Sequence, residues 1–216
     1  MYVKDKMITD IVSIRSDASV TEAIEILGEN KLHRLPVING KGKLVGLLTA
    51  STIDKNTPNN SSSLSIYEIN YMLNNIKVSD IMIKDVITIS KDALLEEAAQ
   101  KMSENDIGCL IVTNEDENIE GIITHKDIFG AFIDYLGYHQ NGTRYTIAIP
   151  EDKIGVLNDI SRCFKEINVS ISHLVVDRSD RGIEVVVIAV GNNSNTAEDI
   201  LTKNGYKVIN IKVVGV

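Results

Sequence analysis

The chain has 216 residues, 44% of them hydrophobic, enough to bury the cores of about one to three small domains, and a disordered chain is excluded. Its net charge of −8 argues against a nucleic-acid partner, because phosphate binding needs a concentrated surface of lysine and arginine. The start, MYVKDKMITDIV, lacks the apolar core of a signal peptide, and no apolar run approaches the roughly 18 residues of a membrane span. We therefore expect a cytoplasmic protein with no membrane partner.

Two stretches of the chain repeat each other at a constant offset of 75 residues. The stretch 17-DASVTEAIEILGENKLHRLPV-37 aligns without a gap with 92-DALLEEAAQKMSENDIGCLIV-112. Identical pairs continue on both sides in the same register, among them Met7/Met82, Gly46/Gly121 and Thr49/Thr124. Such a repeat predicts two copies of one structural unit.

Each copy predicts the order strand, helix, strand, strand, helix. Short apolar strands at residues 11–14 and 86–89 come first, and an amphipathic helix follows each. In the first copy the apolar face of this helix consists of Val20, Ala23, Ile24 and Leu27. A strand pair joined by a polar turn comes next, at 35–38 with 44–48 and at 110–112 with 119–123, and the last helix begins at Thr49 or Thr124. One unit alone buries little surface, so the two copies are expected to pack together.

The segment between the copies begins as a polar linker and passes into a helix. Helical spacing of apolar residues is seen at Leu64, Tyr67, Ile69 and Met72. We interpret Tyr67 and Tyr71 as part of a helix that packs over the interface between the repeats. The predicted organisation is a first repeat at 1–55, a linker and packing helix at 56–75, and a second repeat at 76–138.

After Gly142 the pattern changes, which predicts a separate domain at 143–216. Its expected elements are a strand at 144–149, a helix at 154–167, strands at 169–176 and 183–190, a helix at 196–203 and a strand at 207–214. The order βαββαβ is ferredoxin-like. The whole chain is thus expected to be an α+β protein.

The stretch Thr124-x-x-Asp127 in 121-GIITHKDI-128 allows two interpretations. It is the signature of a capping box, in which each side chain satisfies a free backbone N–H at a helix start. It also suits a small molecule, because a helix N-terminus attracts phosphate and a carboxylate accepts hydrogen bonds from a diol. The sequence leaves both interpretations open.

A βαββα unit that occurs twice, each copy ending in Gly-h-h-Thr (h, a hydrophobic residue), resembles the CBS domain, whose tandem pair forms a Bateman module. The resemblance implies that T-x-x-D binds an adenosine nucleotide, with the hydroxyl on phosphate and the carboxylate on ribose. It implies a first cleft formed by both repeats, with the apolar residues beside adenine and the cations on phosphate. Its residues are Ser13, Ala18, Leu32, His33, Arg34, Thr124, Lys126 and Asp127.

The same resemblance implies a second cleft at the position related by the repeat. Its residues are Thr88, Ala93, Ile107, Gly108, Thr49 and Thr52. Here the chain departs from the family pattern, because Thr52 stands where Asp127 stands in the first cleft. A neutral hydroxyl accepts from a diol less strongly than a carboxylate does. We therefore expect the second cleft to bind a nucleotide more weakly.

The C-terminal domain resembles an ACT domain through 152-DKIGVL-157, which is similar to the D-x-P-G-h-L turn of that family. Ile154 stands where proline is usual. The resemblance implies an effector turn at Asp152, Gly155, Val156 and Leu157, and a homodimer in which exposed sheet edges pair. The alternative is that Gly155 only relieves a tight turn and that Leu157 belongs to the core.

No residue pattern points to catalysis. Cys109 and Cys163 are far apart with no histidine at zinc-ligand spacing, so we expect buried free thiols and no metal site. The histidines fall into no G-x-S-x-G or Cys–His arrangement. An alternative hypothesis is an enzyme, for instance an accessory hydrolase with His125 and Asp127 as an acid–base pair, but no nucleophile, metal cluster or cofactor loop supports it.

The resemblance implies a non-catalytic regulator that senses an adenine nucleotide of the AMP, ADP or ATP type and requires no cofactor. The order CBS–CBS–ACT, with 108-GCLIV-112 and 121-GIITHKD-127, is similar to proteins of acetoin utilisation, which implies a regulated enzyme partner in acetoin or acetate metabolism. S-adenosylmethionine, NAD and cyclic dinucleotides also present adenine and ribose. A dimeric scaffold that binds no small molecule is the other alternative.

Overall fold

A computed structural model describes residues 1–57, 65–180, 182–193 and 196–215. The chain divides into two compact units, Met1–Ile128 and Phe129–Val216, and each is described by itself. Leu64, one of the residues from which the linker helix is predicted, lies outside the described residues.

The elements of the two repeats follow one another in the same order. The first repeat contains β1 (Ile14–Arg15), α1 (Val20–Glu29), β2 (Arg34–Ile38), β3 (Leu44–Thr49) and α2 (Ala50–Asn56), followed by α3 (Ile66–Asn75). The second contains α4 (Val78–Ile81), β4 (Thr88–Ile89), α5 (Leu95–Glu104), β5 (Cys109–Thr113), β6 (Ile119–Thr124) and α6 (His125–Tyr135). A 3-10 turn at Val3–Asp5 stands where α4 stands in the second repeat.

Each repeat forms a three-stranded sheet, in the order β1-β2-β3 or β4-β5-β6. The first strand is parallel to the second, with Ile14 opposite Val37 and Thr88 opposite Ile111. The bounds predicted for these first strands were wrong, since each is two residues long. Only those residues run beside the next strand, and the preceding residues turn toward the other repeat.

The apolar face of α1 is narrower than its sequence indicates. Val20, Ala23 and Leu27 are buried in the core of the first repeat, and Ser19 caps the helix by accepting a hydrogen bond from the Glu22 N–H. Ile24 is 39% exposed, so its assignment to the buried face was wrong. It lies about 100° around the helix from Ala23, at the border of the face that contacts the sheet.

The linker helix α3 is present, but its tyrosines face outward. Tyr67 is 87% exposed and Tyr71 is 73% exposed, so the interpretation that they pack over the repeats was wrong. Among the side chains of this helix that the structure describes, Leu73 packs against the core of the first repeat. Residues four apart share a helix face, whereas Leu73 is two residues from Tyr71 and points the other way.

The segment that precedes each repeat packs on the opposite repeat. The Val78 N–H donates to the Ala18 carbonyl at 3.0 Å, and 75 residues earlier the Val3 N–H donates to the Ala93 carbonyl at 2.9 Å. Val78 is fully buried in the core of the first repeat. These reciprocal bonds relate the repeats by a pseudo-two-fold axis.

Two glycines allow the segments that pack on the opposite repeat to approach the sheets. A Cβ on Gly46 would lie 2.3 Å from the Met82 sulfur, and a Cβ on Gly121 would lie 2.8 Å from the Met7 sulfur. Both pairs are identical at the repeat offset, so the identities seen in the sequence reflect one contact made twice.

The second unit contains β7 (Gly142–Ile149), α7 (Val156–Glu166), β8 (Ser170–Ser179), β9 (Gly182–Val190), α8 (Ala197–Lys203) and β10 (Lys207–Val214). Its sheet has the order β10-β7-β9-β8, and each neighbouring pair is antiparallel. Tyr145 and Phe164 lie in its core as an edge-to-face pair. The order of elements is the βαββαβ predicted from the sequence.

Candidate functional site

A cavity of about 410 Å³ lies between the two repeats at the second cleft. Both repeats contribute to its wall, the first through the starts of β2 and α2 and the second through the segments before β4 and β5. Its lining residues are His33, Arg34, Leu47, Thr49, Ala50, Ser51, Ile83, Asp85, Val86, Ile87, Asp106, Ile107, Gly108, Cys109 and Ile111.

At the start of α2, Thr49 and Thr52 form a closed hydrogen-bonded box. The Thr52 hydroxyl accepts from the Thr49 N–H at 2.9 Å and donates to the Thr49 carbonyl at 2.7 Å. The Thr49 hydroxyl accepts from the Thr52 N–H at 3.1 Å. The single proton of the Thr52 hydroxyl is thus already donated within the box.

At the start of α6, Thr124 and Asp127 form the corresponding box with a carboxylate. One oxygen, Oδ2, accepts from the Thr124 N–H at 2.8 Å and from its hydroxyl at 2.6 Å. Within the described part of the chain, the other oxygen, Oδ1, accepts no hydrogen bond. Capping and ligand binding are therefore compatible at Asp127, because each can use a different oxygen.

The Arg34 guanidinium reaches from the first repeat to the second. A Cβ placed on Gly108 would lie 2.7 Å from Arg34 Nη2 and 2.9 Å from His125 Nδ1. The His125 Nδ1 lies 3.1 Å from the Gly108 carbonyl oxygen. The absence of a side chain at Gly108 therefore lets the Arg34 guanidinium and the His125 imidazole both approach the Gly108 backbone.

Cys109 lies in the wall of the cavity and is buried. Burial raises the pKa of its thiol above the ordinary value, and the positive charge of Arg34 offsets part of this rise. A raised pKa keeps the sulfur protonated and unreactive near neutral pH, as expected of a structural thiol.

The comparison with protein families identifies the two repeats. A family model described as the CBS domain matches residues 3–56 and 78–134, which together are more than half of the chain. The chain belongs to the CBS-domain family. Its two matches coincide with the two copies related by the pseudo-two-fold axis, so residues 3–134 contain a tandem CBS pair.

Two relatives match about three fifths of this chain. A homoserine O-acetyltransferase from Methanohalobium evestigatum is 35% identical over 127 residues, which are 59% of this chain and 23% of that protein. The chain therefore spans less than a quarter of that relative. The CBS pair of protein MJ0100, solved with 5′-methylthioadenosine and S-adenosyl-L-methionine, is 29% identical with a TM-score of 0.50, covering 61% of this chain and 95% of that one.

A solved structure named as the acetoin utilization protein AcuB, from Vibrio cholerae, is 21% identical with a TM-score of 0.52. The match covers 63% of this chain and 93% of that one. At this identity the similarity shows a shared fold alone.

The structure distributes the predicted second-cleft residues over two cavities. Thr49, Ile107 and Gly108 line the cavity between the repeats, whereas Thr88 and Ala93 line a separate cavity of about 760 Å³ in the second CBS domain. Thr52 lies in its box, outside both linings.

Two residues predicted for the first cleft, His33 and Arg34, line the wall of the second. Ser13, Ala18 and Leu32 are half-buried in the first CBS domain, and Lys126 is exposed at the start of α6. Sequence reasoning missed Asp85 and Asp106, which both line the cavity. The available signal was their place in the sequence, since Asp85 comes immediately before the predicted strand 86–89 and Asp106 immediately before the predicted site residues Ile107 and Gly108.

The turn predicted to hold an effector in the C-terminal unit is exposed. Gly155, the N-cap of α7, has φ +97, a left-handed conformation that favours a residue without a Cβ. Asp152 is paired with Arg178 at 3.3 Å, and Leu157 is 44% exposed. Val156 is buried in the core of this unit.

Neither a metal cluster nor a membrane-spanning helix is found among the residues that the structure describes. Among them, no group of three or more His, Cys, Asp or Glu side chains could hold a metal ion. No helix within those residues is both long enough and apolar enough to cross a membrane.

Proposed function

We propose that this chain is a non-catalytic regulator whose CBS pair binds an adenosine-type ligand. The observation that carries the proposal is the Thr124–Asp127 box, which holds the carboxylate in place through Oδ2 and leaves Oδ1 for a ribose diol. The Arg34 guanidinium, which lies beside Gly108 and near His125 at the start of α6, supplies a positive charge close to this box. A fixed acceptor and a nearby cation are the groups that recognition of a nucleotide requires.

The ligand we propose is an adenine nucleotide of the AMP, ADP or ATP type in the first cleft. The complex of the MJ0100 CBS pair with two adenosine derivatives supports the adenosine class at 29% identity. S-adenosylmethionine, NAD and cyclic dinucleotides remain the alternative ligands. In this proposal Thr124 and Asp127 face phosphate and ribose, and the half-buried Ala18 and Leu32 lie beside the base.

The proposed relay of the signal uses the C-terminal unit as an ACT domain. The βαββαβ order and the turn from Asp152 to Leu157 support this assignment. We propose that this unit pairs with a second copy of the chain and conveys the ligand state to a regulated enzyme, in acetoin or acetate metabolism. The free thiols Cys109 and Cys163 suit a reducing compartment, and we place the protein in the cytoplasm.

Thermal melting with and without AMP tests the proposal. At 100 times its dissociation constant, a ligand adds roughly 2.7 kcal/mol of stability, which is worth several degrees at roughly 2–4 °C per kcal/mol for a chain of this size. We expect Asp127→Asn to keep the melting temperature of the free protein, because the amide oxygen still accepts from Thr124. The rise with AMP should be largely lost in this variant.

The control is Asp180→Asn, which makes the same change at an exposed residue of the second unit. It should leave the AMP shift unchanged. If no adenine ligand shifts any variant while Asp127→Ala lowers the melting temperature of the free protein, the box is only a helix cap. The chain would then be a scaffold, and its partners would have to be sought among proteins.

A further inference from the structure

The two clefts are related by the pseudo-two-fold axis, but they differ in the charge of the residues that line them. The second cleft is lined by Arg34 and by two carboxylates, Asp85 and Asp106. No ion pair to either carboxylate is found among the described residues. Its wall therefore carries more negative than positive charge.

The first cleft has the opposite balance at the equivalent positions. The repeat offset of 75 residues gives the equivalent position for each residue that lines the second cleft. Lys126 is equivalent to Ser51, and Lys31 is equivalent to Asp106. Asp10 takes the place of Asp85, and Arg34 takes that of Cys109. At the equivalent positions the first cleft thus has Lys31 and Lys126 against Asp10, and Arg34, which also lines the second cleft, adds a third cation. The balance stays positive when Asp127 is counted.

Lys31 and Asp106, which are equivalent in the two repeats, have the same backbone conformation. Lys31 has φ 53 and Asp106 has φ 51, and both side chains are exposed. The Lys31 N–H donates to the Gly28 carbonyl, and the Asp106 N–H donates to the Ser103 carbonyl. The local backbone is the same in both repeats, so this pair of residues differs in charge and not in backbone conformation.

We infer that the two clefts sort adenosine derivatives by charge, with the first taking a phosphate-bearing nucleotide and the second an uncharged or cationic derivative without phosphate. This inference rests on the proposed function. The Thr49–Thr52 box adds to the difference, because the Thr52 proton is already donated and no carboxylate oxygen remains there for a diol. Adenosine and AMP differ only by the phosphate and are the matched ligands for a test.

The experiment measures binding of AMP and adenosine by calorimetry, separately and in competition. We expect the wild-type chain to retain bound adenosine at saturating AMP, because the ligands occupy different clefts. Ser51→Trp, which fills the second cleft, should remove this AMP-resistant adenosine site and leave AMP binding intact. Lys31→Asp should weaken AMP on the order of tenfold at low salt, and the loss should shrink as salt screens the charges.

The matched variant Asp106→Lys should make the second cleft accept AMP, so that a second AMP binds per chain. The double exchange Lys31→Asp/Asp106→Lys keeps the net charge and should reverse the preferences. If AMP displaces adenosine completely and neither exchange changes an affinity, the inference is overturned while the proposed function stands. If neither ligand binds any variant, the proposed function fails and the inference fails with it.

Discussion

Replacement of Val78 by aspartate is expected to unfold the first CBS domain, although Val78 precedes the second. Val78 is fully buried among first-repeat residues, and its N–H donates to the Ala18 carbonyl. A carboxylate there would have no partner, and a loss of about 4 kcal/mol or more is expected for an unpaired buried charge. Hydrogen exchange should show the amides of β2 and β3 losing protection before those of β5 and β6.

The equivalent variant, Val3→Asp, should give the reverse pattern, because Val3 is bonded to Ala93 of the second repeat. Lys77→Asp is the control, since it places the same charge one residue away on an exposed side chain. It should change stability by less than about 0.5 kcal/mol. If both valine variants lose protection evenly over the whole pair, the exchange of segments does not determine which domain opens.

The loss of stability caused by Val78→Asp should depend on pH in a defined direction. Burial raises the pKa of a carboxyl group in the folded state above its value in the unfolded chain. Such a group destabilises the fold least below the unfolded pKa and most above the folded pKa. The difference in melting temperature from the wild type should therefore shrink as pH falls from 7 toward 4.

The repeat made much of this architecture predictable. Identity at one offset indicates that the same contacts recur, and Gly46 with Met82 and Gly121 with Met7 are such a recurring contact. The sequence does not indicate which of the two repeats each residue contacts. An apolar Val78 looks the same whether it packs on its own repeat or on the other one.

Helical spacing predicted α3 without predicting its buried face. Tyr67 and Tyr71 are large and mostly apolar, so the sequence favoured burial, yet Leu73 on the opposite side contacts the core. Charged residues of the site were missed for a different reason. Asp85 and Asp106 are exposed and lie outside strands and helices, so no periodicity marks them, and only the fold brings them to one cavity.

The box at Thr124 and Asp127 is compatible with both interpretations that the sequence left open. The carboxylate does cap the helix, since Oδ2 accepts two hydrogen bonds from Thr124. A cap of this kind also fixes the side-chain rotamer, so Oδ1 is held in place before any ligand arrives. Preorganisation of this sort lowers the entropic cost of binding.

Replacement of Arg34 by glutamine is expected to weaken AMP binding by about 10–100-fold, because hydrogen bonds to a charged group are worth about 1.5–3 kcal/mol. Within the described residues, no hydrogen bond or ion pair holds the Arg34 guanidinium. Its charge is therefore available to a phosphate, and its removal should leave little strain behind. Adenosine, which lacks the phosphate, should bind the variant within about threefold of the wild type.

One further variant separates the charge from the geometry of the side chain at position 34, and a second variant, at another arginine, is the control. Arg34→Lys keeps the charge but loses the planar guanidinium that can bond a phosphate through two N–H groups, so its AMP affinity should be intermediate. Arg15→Gln makes the same change at an exposed arginine paired with Asp17, and it should not affect either ligand. Equal losses for AMP and adenosine in Arg34→Gln would mean that Arg34 supports the fold of the cleft. A loss for AMP alone would place its guanidinium on the phosphate.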